Sequence, residues 1–247
     1  MRKKMIKMLI FAFIMGLVVV KYGYATNEKT EMMEMIEEMS QINNKKAYLT
    51  FDDGPSVHSR DLMKTLDEFG IPGIFFVTGK QIEYVSDSDE ILAEMLSGGH
   101  HIALHSMTHE KDILYHKDDS SDVFVSEMLE LKNIIYDITG HETNLCRAPF
   151  GKRGHFTKAH EEKVGGANLY CVDWHVDSRD WQDVTSEKIY TTVATQLAEL
   201  KDEEELVLLF HEYERTAVVL PRIIELLKSY DFIFPPYEEG HVFKGLE

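Results

Sequence analysis

From residue 46 onward the sequence alternates between short apolar runs and longer segments with helical periodicity. The seven apolar runs are 46–51, 71–78, 101–105, 144–149, 169–176, 205–211 and 231–234. Capping residues precede three predicted helices: Ser56 before 57–69, Ser120 and Ser121 before 122–139, and Thr185 and Ser186 before 187–201. Strands of a parallel sheet are buried on both faces and read as continuous apolar runs. The alternation therefore indicates a parallel α/β fold in one domain.

Two architectures fit this alternation: an open, doubly wound sheet and a closed barrel. No glycine-rich phosphate-binding motif follows the first run, which ends instead in Asp52 and Asp53. Functional residues of a barrel collect at the carboxyl ends of its strands. Polar residues follow five different runs here, so the barrel is favoured.

Residues 1–25 are predicted to be a targeting segment. Four cations precede 13 uncharged residues at 8–20, and the small-x-small tripeptide at 23–25 offers a cleavage site. The cations are Arg2, Lys3, Lys4 and Lys7. This pattern is typical of a secretory signal peptide. An uncleaved membrane anchor is the alternative, although a span needs about 20 apolar residues.

The targeting segment predicts the location and the domain layout. We expect an exported protein that is extracellular, associated with the cell wall, or tethered to the membrane through its N-terminus. Residues 26–45 are polar and acidic with methionines at helical spacing, and we interpret them as an amphipathic spacer. A single domain would then occupy residues 46–247.

Charge and cysteine content limit the partners and cross-links of this chain. Its 43 acidic residues outnumber 26 basic ones, which gives a formal charge of −17. Nucleic-acid-binding surfaces are basic, so no nucleic-acid partner is expected. Cys146 and Cys171 each lie in an apolar run, so we expect buried free thiols rather than a disulfide.

Two motifs supply candidate metal ligands. The first run ends in Asp-Asp-Gly-Pro at 52–55, where one aspartate can bind a metal while the other acts as a base. The third run leads into His-Ser-Met-Thr-His at 105–109, and these histidines share one face if the segment turns helically. Two imidazoles and a carboxylate suit a divalent cation such as zinc. Taken singly, the two aspartates are as typical of a plain turn as of a functional site. The histidine pair alone is a weak motif that surface histidines also produce.

Three further runs end in residues suited to acid–base chemistry or sugar binding. Arg147 can hold a carboxylate through its planar fork, and the N–H groups after Pro149 can face a developing oxyanion. Asp180 and Trp181 follow the fifth run, where an indole can stack on a sugar or cap the barrel. His211 ends the sixth run and is a candidate general acid, although a lone histidine there is most often structural.

The order of these motifs resembles that of the polysaccharide deacetylases, carbohydrate esterase family 4. The motifs are Thr-Phe-Asp-Asp-Gly-Pro, His-Ser-x-x-His, Arg-x-Pro-x-Gly, Asp-x-x-Asp-Trp and Leu-x-His. The resemblance spans residues 46–235 and implies a distorted (β/α) barrel, often of seven strands. Ala148, Phe150 and Glu212 stand where the family often has proline, tyrosine and aspartate.

The resemblance implies how metal and substrate would be bound. The metal ligands would be Asp53, His105 and His109. The metal would be divalent, usually zinc and sometimes cobalt. The backbone N–H of Phe150 would face the oxyanion, Trp181 would line the groove, and Leu209 would form the pocket for the acetyl methyl group.

The implied chemistry is removal of an acetyl group by water that the metal activates. Asp52 would be the general base, oriented by Arg147. His211 would be the general acid, paired with Asp180, and would protonate the departing amine. The products would be acetate and a free amino sugar.

Several substrates fit this chemistry. N-Acetylglucosamine of peptidoglycan is the first expectation for an exported protein of this kind. Chitin oligomers, another N-acetylated exopolysaccharide and acetyl-xylan stay open. A non-catalytic glycan-binding barrel is the rival from a different class, but it would be expected to lack Asp52, a metal ligand or His211, and all are present. We expect a monomer.

Overall fold

The computed structural model describes residues 45–246, which contain seven strands and eight helices. The strands are β1 Lys46–Gly54, β2 Ile74–Val77, β3 His101–Leu104, β4 Leu145–Cys146, β5 Tyr170–Cys171, β6 Val176–Asp177 and β7 Glu205–His211. The helices are α1 Ser59–Phe69, α2 Gly79–Tyr84, α3 Ser88–Ser97, α4 Lys111–Tyr115, α5 Ser120–Thr139, α6 Lys158–Gly166, α7 Ser186–Leu200 and α8 Glu214–Ser229.

The predicted targeting segment at 1–25 lies outside the described residues, as does all but the last residue of the predicted spacer at 26–45. Within residues 45–246, no helix has the length and apolar character that crossing a bilayer demands.

The seven strands form one parallel sheet that curls toward a barrel. Their order is β5-β4-β3-β2-β1-β7-β6, so β5 and β6 are at opposite ends of the sheet. Seven strands laid flat would separate these two strands by about 29 Å. The chain from Cys171 to Val176 spans at most about 18 Å when fully extended. The sheet must therefore curl, which confirms the predicted distorted barrel of seven strands.

Side-chain alternation along β1 divides the core into two layers. Ala47, Leu49 and Phe51 pack between the sheet and the surrounding helices. Tyr48 points the other way, into an inner cluster that includes Tyr237 and Phe243 of the C-terminal segment. Because strand side chains alternate with a period of two, Thr50 and Asp52 follow Tyr48 on the inner face. The alternation thus carries Asp52 to the mouth of the curled sheet.

The predicted strands at 169–176 and 231–234 were wrong in detail. The first run divides into β5 and β6, because the chain leaves the sheet at Asp173, whose carboxylate and carbonyl oxygen accept hydrogen bonds from Lys152 and Arg147. The second forms only an isolated bridge between Ile233 and Lys46. Two prolines at 235–236 follow, and their lack of N–H groups prevents a longer ladder.

The helix signals located the helices well. Thr185 caps α7 by accepting a hydrogen bond from the N–H of Lys188. The residues before α1 and α5 are His58 and Asp119, neither of which caps through its side chain. The serines predicted as caps therefore lie close to these helix starts without forming the expected cap.

Cys146 and Cys171 are free thiols, and both are buried. They are paired across β4 and β5, so the two side chains are direct neighbours in the sheet. The hydrogen bond to Cys171, together with burial, raises the pKa of the Cys146 thiol. The Cys146 thiol is therefore protonated and unreactive in the folded domain.

Candidate active site

The carboxyl ends of the strands surround a cleft of about 390 Å³. Eight residues that the sequence predicted for the site line it: Asp52, Asp53, His105, His109, Phe150, Trp181, Leu209 and His211. The other two, Arg147 and Asp180, are fully buried and contact cleft residues from behind. The fold therefore brings all ten predicted residues together.

A β-bulge in β1 lets two adjacent aspartates share the cleft. Asp52 pairs with Phe76 and Gly54 pairs with Val77, so Asp53 is an extra residue in the ladder. Its φ of 65° is in the left-handed region, which is uncommon for a residue with a side chain. Adjacent side chains of a regular strand point to opposite faces. The bulge removes this alternation, and both carboxylates reach the same cleft.

Asp53, His105 and His109 form a candidate metal centre. Oδ1 of Asp53 lies 3.2 Å from Nε2 of His109 and 3.5 Å from Nε2 of His105. One potential ligand atom from each residue lies within 4.8 Å of the others. The two histidines belong to an irregular loop rather than the helical turn that their spacing suggested, because Ser106 and His109 have φ values of 69° and 55°.

This group fits a divalent cation. Oδ1 of Asp53 is buried without a hydrogen-bond partner among residues 45–246, and a cation would satisfy this acceptor. Nδ1 of His105 lies 2.9 Å from the carbonyl oxygen of Arg147, so Nδ1 donates the proton and Nε2 keeps its lone pair. Burial lowers the pKa of His105 to about 3, which keeps the imidazole neutral, as a ligand must be.

A buried arginine holds Asp52 on the inner wall of the cleft. Nη1 of Arg147 lies 2.8 Å from Oδ1 of Asp52 and 2.7 Å from Oγ1 of Thr50. The guanidinium also donates to the carbonyl oxygens of Val172 and Asp173, so its position is fixed from several sides. Burial raises the pKa of Asp52, and Arg147 opposes that effect. The carboxylate is thus poised to accept a proton without leaving its place.

His211 lies beside Asp52, since the two are paired across β1 and β7. Nδ1 of His211 is hydrogen bonded to Asp180, and Nε2 lies 4.0 Å from Oδ2 of Asp53. Burial disfavours the charged imidazole, but the hydrogen bond and the charge of Asp180 outweigh it. The pKa of His211 is consequently raised to about 9. His211 is therefore protonated at neutral pH and able to donate a proton.

Apolar side chains form the walls and the floor of the cleft. Phe150 and Trp181 are 49% and 54% exposed, whereas Leu209 on β7 is only 3% exposed. The Phe150 ring lies 4.6 Å from the ring of His109, measured between centroids. An apolar-walled cleft with a few convergent polar groups is typical of a small-molecule or sugar site.

Three further residues line the cleft: Gly151, Trp174 and Asp177. Gly151 and Asp177 belong to the quoted motifs but were given no role, and Trp174 was not singled out by the sequence at all. Trp174 lies within the run at 169–176, which reads as one buried strand. Because β5 ends at Cys171, Trp174 leaves the sheet and reaches the cleft instead. The polar Asp173 inside this run was the available signal of a break.

A model of the polysaccharide deacetylase family matches residues 40–168 of the chain. A peptidoglycan-N-acetylglucosamine deacetylase of Bacillus cereus is 29% identical over 212 residues, which cover 82% of this chain and 74% of the relative. A chitooligosaccharide deacetylase of a Bradyrhizobium strain is 30% identical over 158 residues, covering 60% of this chain and 64% of that protein.

Solved structures share the fold. The crystal structure of a polysaccharide deacetylase from Bacillus cereus matches with a TM-score of 0.71 and 28% identity, covering 80% of this chain and 94% of that chain. The chitin deacetylase of the fungal pathogen Colletotrichum lindemuthianum matches with a TM-score of 0.67 at 22% identity, covering 81% and 89%. The second likeness concerns the fold alone.

Proposed function

Because this chain belongs to the polysaccharide deacetylase family, we propose that it hydrolyses N-acetyl groups on a glycan and releases acetate and a free amine. One observation carries the proposal: a buried, arginine-held aspartate and an aspartate-paired histidine flank a candidate metal centre in one cleft. A base, an acid and a cation site are the parts that metal-assisted hydrolysis needs.

The metal would be held by Asp53, His105 and His109. Zinc is our first choice, because two imidazoles and one carboxylate are a common catalytic zinc donor set, and cobalt or another divalent ion is the alternative. A cation bound there would act as a Lewis acid on the acetyl carbonyl and would make water more acidic.

Asp52 would accept the proton from the attacking water. Its carboxylate lines the cleft, and the guanidinium of Arg147 fixes its orientation. Because Arg147 is itself held by three other groups, it positions the base without taking part in proton transfer. The backbone N–H of Phe150 is our candidate donor to the developing oxyanion, an interaction whose loss typically costs about 10²–10³-fold in rate.

His211 would donate a proton to the departing amine. The raised pKa of His211 keeps the ring protonated at neutral pH. Because Nδ1 is hydrogen bonded to Asp180, the proton on the cleft-facing Nε2 is the one that the substrate would receive. Asp52 and His211 thus act on opposite halves of the reaction, the first as base and the second as acid.

We propose N-acetylglucosamine of peptidoglycan as the substrate. A relative that aligns with 82% of the chain is named for that activity, which supports the choice. The chitooligosaccharide deacetylase relative supports chitin oligomers as the next candidate. Another N-acetylated exopolysaccharide and acetyl-xylan complete the alternatives.

Acetate release is the direct test. Purified protein is incubated with peptidoglycan, chitin oligomers and acetyl-xylan in parallel, after chelation and after adding zinc or cobalt. We expect peptidoglycan to be the preferred source of acetate, and acetate to be released only when metal is present. Asp52→Asn should release no acetate, although it should still bind metal. Bound zinc without acetate release from any glycan would instead identify a glycan-binding protein.

We also propose that the protein is exported and acts as a monomer outside the cytoplasm. The basic and then apolar composition of residues 1–25 supports export. Cell fractionation with N-terminal sequencing of the mature protein tests export and separates a cleaved signal peptide from an anchor. Light scattering tests whether the protein is a monomer in solution.

A further inference from the structure

The loop that carries both candidate histidine ligands is short and conformationally demanding. Ser106 and His109 have positive φ values of 69° and 55°, which side-chain-bearing residues adopt only at a cost. Only three residues separate the two imidazoles, so any relaxation of this loop would change their separation. One hydrogen bond inside the loop, from the N–H of His109 to the hydroxyl of Ser106, and two backbone bonds from Gly79 and Lys80 of α2 help to hold it.

Glu127, on the long helix α5, is the side chain that anchors the centre of the loop. Its side chain is buried, with 7% exposure, and points at the middle of the loop. Oε2 accepts hydrogen bonds of 3.0 Å from the backbone N–H groups of Met107 and Thr108. Oε1 accepts a bond of 2.9 Å from the hydroxyl of Thr108. The carboxylate thus binds both residues at the centre of the loop.

These contacts are strong because of their charge and burial. Hydrogen bonds to an ionised acceptor are about twice as strong as neutral ones. Removing the carboxylate would leave the N–H groups of Met107 and Thr108 without their partner in a partly buried place, where such a loss is costly. A helix of 20 residues is also a rigid anchor for the loop.

We propose that Glu127 is a positioning residue for the metal centre: it holds His105 and His109 at the separation that a shared cation requires. The inference rests on the proposed function, since it assumes that Asp53, His105 and His109 bind a divalent metal. It assigns a role to a residue that lies outside the cleft and that touches neither metal nor substrate.

The test of this proposal is the zinc affinity of the full chain. It is measured after metal removal, by competition with a chromophoric chelator. We expect Glu127→Ala to bind zinc about 10- to 100-fold more weakly than the unmodified protein, the range typical for lost outer-shell support. Glu127→Gln keeps an acceptor oxygen without the charge, so its loss should be smaller, at several-fold. Glu130→Ala is the matched control, because Glu130 is exposed on the same helix.

A cobalt-loaded sample gives a second readout, which would not change if Glu127 only stabilised the fold. The visible spectrum of bound cobalt reports ligand geometry, and we expect it to change in Glu127→Gln and to be unchanged in Glu130→Ala. Circular dichroism without metal confirms that each variant is folded. If Glu127→Ala does not fold, Glu127→Gln decides.

The outcomes separate this inference from the proposed metal site. Folded Glu127 variants with unchanged zinc affinity and an unchanged cobalt spectrum would overturn the positioning role, while the metal site would stand. If the unmodified protein binds no zinc or cobalt, or binds them as well after Asp53→Ala, the metal site itself is rejected and the inference falls with it.

Discussion

Nδ1 of His211 lies 2.7 Å from Oδ1 of Asp180, and the other oxygen of that carboxylate accepts bonds from the N–H of His211 and the hydroxyl of Thr216. Asp180 is completely buried. This arrangement fixes the ring orientation and assigns the Nδ1 proton, so Nε2 is the atom presented to the cleft. It also explains why an imidazole that burial alone would keep neutral is protonated instead.

Substituting Asp180 with asparagine should move the alkaline limb of the pH–rate profile. An acid catalyst is active only while protonated, so activity should persist up to about pH 9 and fall above it. Asp180→Asn removes the charge that raises the pKa of His211. A hydrogen bond to a charged group contributes about 1.5–3 kcal/mol, so the limb should move about 1–2 pH units lower.

The measurement is kcat/KM for acetate release as a function of pH, because this ratio reports the pKa values of the substrate-free enzyme. Asp183→Asn is the matched control, since Asp183 is exposed in the same loop. An alkaline limb that stays in place in Asp180→Asn would show that His211 is not the acid, or that Asp180 does not set its pKa.

Arg147 and Asp52 should be energetically coupled. Both are buried, and their ion pair is desolvated on both sides. Arg147→Met alone leaves a buried carboxylate without its partner, a change that typically destabilises by about 3–5 kcal/mol. In the double variant with Asp52→Asn, that penalty should shrink, giving a coupling energy of about 1–3 kcal/mol.

Urea unfolding of the four proteins, followed by circular dichroism, completes this cycle. The Asp52→Asn variant serves as its own control for loss of the carboxylate charge. Additive free energies of unfolding would mean that Arg147 acts through its bonds to Thr50, Val172 and Asp173 rather than through Asp52.

The sequence predicted the barrel because continuous apolar runs mark buried parallel strands. Most of the candidate site residues lie at or just after the ends of such runs, where a barrel collects functional groups. Their individual roles, and the inclusion of Leu209, came from the resemblance to the deacetylase motifs. The bulge at Asp53 was beyond this reasoning, since nothing in the residue pattern shows that one residue of a strand is left unpaired. The helical turn expected between His105 and His109 failed for the same reason: spacing does not reveal backbone torsions.

Residues that act through tertiary contacts escaped the sequence entirely. Glu127 reads as an ordinary acidic residue on an amphipathic helix, and only the fold shows that it faces a loop. Trp174 reads as core inside an apolar run, and only the early end of β5 sends it to the cleft. The aromatic wall was therefore predicted in part, from Trp181, whereas Phe150 was predicted for its backbone N–H.

Replacing Gly151 with alanine should weaken substrate binding. Gly151 has a φ of 75°, and an added Cβ would lie 2.8 Å from Cη2 of Trp174, closer than real contacts allow. Trp174 must then shift within the cleft, so we expect KM to rise several-fold with a smaller change in kcat, because the reacting groups are untouched.

Gly154→Ala separates this steric effect from backbone strain. Gly154 has a φ of 89°, and a Cβ there would meet no atom within 4 Å. Both variants should lose about 1 kcal/mol of stability from strain, but only Gly151→Ala should change KM and tryptophan fluorescence. Equal effects on KM in the two variants would contradict a role for Trp174 in the cleft.

Glu212 should make the stability of the metal-free domain depend on pH. Its carboxyl packs against the α-carbon of Gly54 and accepts hydrogen bonds from the backbone of Ser56 and the hydroxyl of Ser59. Oε1 is buried without a hydrogen-bond partner among residues 45–246. Burial accordingly raises the pKa of Glu212 from 4.5 to about 7.

A carboxyl whose pKa is higher in the folded state stabilises the fold when protonated. That contribution is complete below the unfolded pKa of 4.5 and is lost as pH rises through about 7. As pH rises between these values, the free energy of unfolding of the unmodified protein should therefore fall by up to about 3 kcal/mol relative to that of Glu212→Gln. Urea unfolding with a chelator present measures this difference, with the exposed Glu214→Gln as control. Parallel stability curves for Glu212→Gln and the unmodified protein would show that the buried carboxyl does not titrate in this range.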